Sequence, residues 1–396
     1  MYVYADNAAT TAVSETAFNA MVPMLTDLYY NPSSLHSRGQ EVKEKLVEAR
    51  HTFAKYLNAA EDREITFTSG GSEADNQALR TAVALGARKG KRHVVSTKFE
   101  HHAMLHTLKA MEKEGVEVTL LDIPADGVIT VDQVRDAIRE DTCLVSVMFA
   151  NNEIGTIQPI AEIGALCHEK GVLFHTDAVQ AAGHLPIDVQ AMNIDMLSLS
   201  AHKFHGPKGV GVLYSRKNIA LTPIINGGAQ ERGRRAGTEN MPGICGAAAA
   251  FQEACETMEE TNKRLIAMRD RLIEGLSKIP HSLLNGDAKR RLPGNVHFCF
   301  EGIEGESLLL LLDAKGVAAS SGSACASGDL DPSHVLLAMG RPHEVAHGSL
   351  RLTFSGYNTE ADIDHILEVV PGVVDYLRKY SPVWDELEKG QRPHLI

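Results

Sequence analysis

The sequence predicts an α/β protein, with a large mostly parallel seven-stranded sheet domain and a smaller α+β domain. Three observations carry this. From about residue 64 to 215, short apolar β-branched runs alternate with segments of helical period, the pattern of a parallel sheet covered by helices. From about Pro242 to Leu276 the chain is rich in Ala, Glu, Lys, Arg and Met and reads as one long helix connecting two units. Beyond it the alternation stops, and two strands with a final helix describe a second unit. The large domain is placed at residues 14–257, and the small domain at 1–13 together with 258–396.

Taken in order, the strands of the large sheet are expected at Ile65–Thr68, His93–Ser96, Val116–Leu121, Leu144–Phe149, Val172–Phe174, Met196–Leu199 and Gly209–Tyr214. Each is a short apolar run bounded by turn residues. The last is entered through Gly206-Pro207-Lys208-Gly209 and is the candidate antiparallel member. The second unit has strands at Gly294–Phe300 and Ser349–Phe354 and a helix over Glu360–Leu377. The polar tail from Tyr380 to Ile396 contains two prolines and is expected to be poorly ordered. No internal repeat or low-complexity segment is present.

The bulk composition narrows the function classes. With 396 residues, 44% hydrophobic and 23% charged, the chain has ordinary globular composition and room for two domains. No apolar run reaches membrane length, and Met1 to Asp6 lacks the basic and apolar regions of a signal peptide, so a cytoplasmic protein without a membrane partner is expected. A net charge of −12 argues against a nucleic-acid groove, although Arg232, Arg234 and Arg235 form a local basic cluster. The cysteines at 143, 167, 245, 255, 299 and 325 include no Cys-x-x-Cys pair. That excludes a zinc ribbon or thioredoxin motif and disfavours a disulfide framework, and the sequence points to no metal site. All but Cys325 sit in apolar or helical surroundings and read as buried thiols.

The chemistry-bearing residues gather at strand ends, where ligand sites of open α/β sheets lie. His175-Thr176-Asp177-Ala178-Val179-Gln180 follows one apolar run, and Ser200-Ala201-His202-Lys203 follows another. A lysine amine and a carboxylate on neighbouring strand ends suit pyridoxal phosphate: the amine forms a Schiff base and the carboxylate pairs with the pyridinium nitrogen. The alternative is a surface lysine with a capping aspartate. Thr68-Ser69-Gly70-Gly71-Ser72-Glu73-Ala74-Asp75 joins a strand to a helix. Its Ser72 and Asp75 fit a capping box, and its glycines also let backbone amides converge on a phosphate. Phe99-Glu100-His101-His102 offers an imidazole to stack on a pyridine ring or to move protons, and spacing alone does not separate His101 from His102. Asn31 and the pair Asn151, Asn152 lie in turns. Arg351, inside an apolar strand, needs a carboxylate, either that of an amino-acid substrate or one from the protein. Cys325 stands in Ala318-Ala319-Ser320-Ser321-Gly322-Ser323-Ala324-Cys325-Ala326-Ser327-Gly328, a run with no bulky residue to shield the thiol. The segment Ser320 to Gly328 is therefore expected to be the most mobile part of the machinery.

These segments resemble the cysteine desulfurases of the NifS/IscS class, pyridoxal-phosphate enzymes of fold type I in the class V aminotransferase superfamily. The resemblance runs nearly end to end. It is carried by Asp6 to Thr11, Asn31 to His36, Gly70 to Glu73, Glu100-His101, Asn151 to Gly155, Asp177 to Gln180, Ser200 to Lys203, Arg235 to Asn240 and Ser321 to Cys325. The last run is specific to desulfurases with a long catalytic loop. The resemblance implies that Lys203 binds the cofactor covalently, Asp177 meets the pyridine nitrogen and Gln180 the ring oxygen. Gly71, Ser72, Ser200 and His202 would hold the phosphate, with Thr238 reaching over from a second subunit of a homodimer. His101, preferred over His102 on this ground, would stack on the ring beside Asn152. Asn31, Asn152 and Arg351 would hold the carboxylate of L-cysteine, and Cys325 would take its sulfur as a persulfide, leaving alanine. A sulfur-acceptor protein, an iron–sulfur scaffold or a thiolation enzyme, is implied as partner. Ser72 stands where threonine is frequent, and Gly227-Gly228-Ala229 replaces a frequent third glycine. The alternatives are a selenocysteine lyase, another lyase or aminotransferase of the same fold, and a non-catalytic sulfur carrier.

Overall fold

The structure is a computed structural model that describes residues 1–322 and 332–396. In chain order the strands are β1 (Val3–Tyr4), β2 (Ile65–Thr68), β3 (His93–Thr97), β4 (Glu117–Leu121), β5 (Thr142–Ser146), β6 (Leu173–Asp177), β7 (Met196–Ser200), β8 (Gly211–Ser215), β9 (Ser282–Leu284), β10 (Asn295–Phe300), β11 (Val317–Ala318) and β12 (Ser349–Thr353). A seven-stranded sheet has the order β2-β8-β7-β6-β5-β3-β4. Only β8 runs against the rest, as its Gly-Pro entry suggested, because both its pairings are antiparallel. The other six strands therefore end on the same edge of the sheet. Whatever follows each of them converges on one line, and this positions the site.

Two departures from the expected strands matter. The run expected at Val172–Phe174 is β6, which extends to Asp177. His175 and Asp177 are thus ladder residues on the same face, with Phe174 and Thr176 on the other. The run expected at Leu144–Phe149 pairs only over Thr142–Ser146. Val147 and Phe149 instead donate single backbone bonds to His175 and Asp177, so the chain leaves the ladder gradually beside the end of β6.

The second unit is a three-stranded antiparallel sheet, β12-β10-β9, beside the parallel pair β1–β11. Its core joins Val3 and Ala5 to Phe298, Leu350 and Ile366, so the N-terminal segment packs with the C-terminal third. The helix Met241–Leu276 begins on an Asn240 cap with Pro242 in its first turn. At a rise of about 1.5 Å per residue it is long enough to serve two cores. Residues Met241 to Phe251 are buried in the large-sheet core and Leu265 to Leu276 in the other.

The tail is a correction. Residues Pro382–Glu388 form a helix with Leu387 buried, Trp384 lies over Gly302, and Leu395 donates its backbone N–H to Glu301. The two prolines start the helix and follow it rather than preventing order. The capping box expected of Ser72 and Asp75 is a second correction. The helix Gly71–Ala87 begins on Gly70, Ser69 N–H is met by Glu73, and Asp75 is buried.

Candidate active site

A cavity of about 160 Å³ opens at the shared edge of the large sheet. It is lined by Gly71, Ser72, His101, Asn152, Asp177, Gln180, Ser200, Lys203 and Arg351, together with Ala8, Ala9, Asp75, Met148 and Val179.

Lys203 ends a single 3-10 turn, Ala201–Lys203, that follows β7. Its Nζ donates to the carbonyls of Ala8 at 2.5 Å and Ala9 at 2.8 Å. The N-terminal strand of chain is held there by Thr11, whose N–H and hydroxyl both donate to the His202 carbonyl. Gln180 adds an amide bond to the Ala8 carbonyl at 3.0 Å.

Asp177 closes β6, and its Oδ1 accepts the Val179 N–H at 2.9 Å. Burial pushes its carboxyl up to about 6, against the pull of the Lys203 charge. Behind it lie Asp75 and His175. The His175 ring bridges the hydroxyls of Ser146 at 2.8 Å and Ser198 at 3.0 Å, and burial lowers it to about 3, so it is neutral. Asp75 is raised well above the ordinary carboxylate range, first by burial and then by the Asp177 charge. Both carboxyls line the same cavity, where burial and their like charge each disfavour ionisation. Asp75 Oδ1 has no hydrogen-bond partner among the described residues. Sequence reasoning read Asp75 only as a cap, and nothing in the local pattern shows that helix and strand bring it against Asp177.

His101 caps the helix His102–Glu112, with Nδ1 accepting the Ala103 N–H at 3.1 Å. Its proton therefore sits on Nε2. Burial first, then the Lys203 charge, lowers the ring to about 4, leaving a neutral imidazole. His102 turns away to stack with His106 and meet the tilted ring of His334, which separates the two histidines that spacing left equivalent.

At Gly71 an added Cβ would come within 2.7 Å of Val179 Cγ2 and 3.5 Å of Ser200 Cβ, so backbone stands where a side chain has no room. The amides of this first turn face the cavity at the positive end of a 17-residue helix. An amine, a buried carboxylate, an amide-lined helix start with two hydroxyls, and a flat neutral imidazole fit pyridoxal phosphate.

Arg351, on β12, closes the opposite wall. Its Nη2 lies 2.9 Å from Asp6 Oδ1 and its Nη1 donates to the Asn152 carbonyl at 3.2 Å. The protein carboxylate weighed as its partner thus exists, yet the buried Nε has no partner among the described residues. The neighbouring Asn151 builds the turn, accepting the N–H groups of Glu153 and Ile154. Ser320 pairs with the backbone of Arg351 in both directions. A Cβ on Gly322 would strike Glu153, whose carboxyl also holds the Ser333 hydroxyl. Both ends of segment 323–331 are therefore anchored at this wall. Cys325 lies outside the described residues, as does most of the segment expected to be mobile.

Three candidates stand apart from the cavity in this chain. Asn31 is exposed, and its side chain accepts the Ser33 N–H. His202 faces Thr10 Oγ1 at 3.1 Å. Thr238 is exposed on a loop. The chain before it is held within its own subunit. Glu231 makes a buried two-point pair with Arg50 and accepts the Phe67 N–H, and Arg235 pairs with Glu73. The remaining cysteines of the described residues are free and buried or half-buried, with thiols pushed up to between about 11 and 12 by burial.

The profile of the aminotransferase class-V family matches residues 3–366. The cysteine desulfurase IscS of Clostridium botulinum is 53% identical over 392 residues, 98% of each chain. A solved structure described as a NifS-like protein superposes with a TM-score of 0.89 at 37% identity, over 95% of this chain and all of that one. A structure of SspA in complex with cysteine superposes with a TM-score of 0.79 at 35% identity, over 90% and 99%. On this identity along nearly its whole length, the chain belongs to the cysteine desulfurases, pyridoxal-phosphate enzymes of the aminotransferase class-V family.

Proposed function

We propose that the protein removes sulfur from L-cysteine, releasing L-alanine, and carries that sulfur as a persulfide on Cys325 to an acceptor that builds iron–sulfur clusters or thio-cofactors. One observation carries the reading: Arg351, whose buried Nε has no partner among the described residues, lines the same cavity as Lys203. A free amino acid spans such a site, with its carboxylate on the guanidinium and its amino group toward the lysine.

When bound, pyridoxal phosphate supplies the electron sink that lets the substrate's Cα proton and then its C–S bond be broken. Asp177 holds the ring nitrogen and Gln180 the ring oxygen. His101 covers one face as a neutral ring, beside Asn152. Gly71, Ser72 and Ser200 would receive the phosphate; the resemblance adds His202, which stands off the cavity in this chain, and Thr238 from a second subunit of a homodimer. Lys203, once its amine is displaced, takes the Cα proton and returns a proton to the product. Arg351 and Asn152 orient the substrate so that its sulfur faces the Cys325 thiolate, and the resemblance adds Asn31, which stands off the cavity in this chain. That thiolate forms the new S–S bond as the C–S bond breaks, and the electron pair of the broken bond stays with carbon, where a proton completes alanine. A free thiol, with a pKa of roughly 8.5, is mostly protonated at neutral pH, so activation within the site is part of the reading. Residues 14–257 act as the cofactor-binding domain, and 1–13 with 258–396 as the domain bearing the thiol. Among the described residues no helix is long and apolar enough to cross a membrane.

The test is direct. Purified holoenzyme given L-cysteine and a reductant should form alanine and sulfide in equal amounts. Lys203→Ala should lose both, by more than about a thousandfold, together with the visible absorbance of the bound cofactor. Normal turnover in that variant would defeat the assignment.

A further inference from the structure

We infer that His281, Glu301 and His394 form a binding site for a divalent transition-metal ion of the zinc type, in the small domain and apart from the cofactor cavity. The three come from segments far apart in the chain. His281 lies in the turn between the long helix and β9, Glu301 directly follows β10, and His394 is in the tail. The Nδ1 atoms of both histidines face one carboxylate oxygen: Glu301 Oε2 is 2.7 Å from His394 and 3.5 Å from His281. All three ligand atoms lie within 4.8 Å of one another. An ion bound at about 2.0–2.2 Å from each donor needs donors roughly 3–3.5 Å apart, so small side-chain rotations suffice.

The surroundings hold the donors in place. Glu301 is buried, and its other oxygen accepts the Leu395 N–H at 2.6 Å. The two imidazoles are stacked with centroids 3.7 Å apart, and Trp384 presents itself edge-on to both. The Arg378 guanidinium donates to the carbonyls of Pro280, His281 and Glu301, clamping two of the three ligand segments together. His281 sits at φ +50°, a left-handed conformation that a residue with a Cβ adopts at a cost. An oxygen of Ile396 lies 2.9 Å from His281 Nδ1 and is a candidate fourth donor.

Two imidazoles and a carboxylate without a thiolate suit zinc, nickel or copper rather than magnesium or calcium, which prefer oxygen donors alone. Both rings are partly exposed, so an ion can enter and keep water in its open positions. Bound there, it would tie the tail to the end of the central strand of the small sheet. The tail forms one wall of a cavity of about 720 Å³ that also includes Glu304, Glu344 and Leu377, so the ion would hold that wall.

The experiment uses the full-length holoenzyme with Cys325→Ser, so that the reactive thiol does not compete as a ligand. Titration with Zn²⁺ should show one tight equivalent of micromolar affinity or better. His394→Ala and Glu301→Gln should each weaken it by at least a hundredfold, and zinc should slow hydrogen exchange of residues 390–396 only when His394 is present. His394 is partly exposed near the end of the chain, so its variant tests the site without disturbing the core. Unchanged zinc binding in both variants, or no zinc uptake by the parent protein, would overturn the inference. It is independent of the cysteine reaction and survives or fails without it.

Discussion

The two walls of the cavity are built in different ways. On one, Lys203, Asp177, His101 and Gly71 all lie at or just past the C-terminal ends of parallel strands in one sheet, and Asp177 and His101 are held by the backbone of their own turns. On the other, Arg351 comes from a second sheet, Asp6 from the start of the chain and Asn152 from the turn after β5. Sheet geometry sets the first wall before any ligand arrives. The second depends on partners that meet only when the two units pack together, and among the described residues its guanidinium Nε has no partner. A rigid cofactor suits the first wall, and a substrate that comes and goes suits the second.

The contrast is sharpest at the thiol. Cys325→Ser should keep the cofactor and still bind cysteine, yet form neither persulfide nor alanine at a rate within about a hundredfold of the native enzyme. Full activity of the serine variant, measured as alanine release, would move the catalytic thiol elsewhere and leave the second wall without its chemical purpose.

A smaller loss should follow from Arg351→Ala. A hydrogen bond to a charged group contributes on the order of 1.5–3 kcal/mol, so cysteine binding should weaken by about tenfold to a hundredfold with the cofactor retained. Spectroscopic titration with cysteine reads this. If affinity is unchanged and the protein merely melts earlier, the Asp6 ion pair is the whole purpose of the arginine, and the wall is structural.

The third effect is on stability rather than turnover and concerns Glu153, whose carboxyl holds the Ser333 hydroxyl just after segment 323–331. Burial raises its carboxyl from 4.5 to about 7. The folded protein therefore keeps a proton that the unfolded chain gives up, and stability falls as pH rises from 4.5 to 7. Glu153→Gln removes that share, gaining on the wild type by at most about 3 kcal/mol across the window. Thermal unfolding at pH 5 and pH 8 should show a smaller drop in Tm for the variant, and an equal drop would mean that Glu153 is solvated and does not grip the segment.

The first wall was largely legible in the sequence, because its signals are local. Apolar runs mark the strands, and the residue after a parallel strand points to the ligand edge whatever the rest of the fold does. That is why Lys203, Asp177 and the glycine turn at Gly71 stand out in the sequence and are found together, joined by Gln180 and Ser200, which the resemblance implies. The second wall was legible only as types of residue. Arg351 announced a carboxylate partner, but whether protein or substrate supplied it was a question of packing. Asn31, His202 and Thr238 came from resemblance alone, and within one chain they stand off the cavity.

By itself the sequence determined the alternation of strands and helices, the antiparallel β8, the long connecting helix and the strand-end placement of lysine and aspartate. All of these follow from periodicity and turn chemistry over a few residues. Only the tertiary structure decided that Asp75 shares a cavity with Asp177, that His102 turns away from the cavity while the His101 preferred by resemblance lines it, and that Arg351 is already paired with Asp6. It alone decided too that the tail folds back so that His394 meets His281 and Glu301. The physical reason is common to all four. Each depends on desolvation and contact between segments distant in the chain, and no local pattern encodes how deeply a side chain will be buried or which far residue will share its pocket.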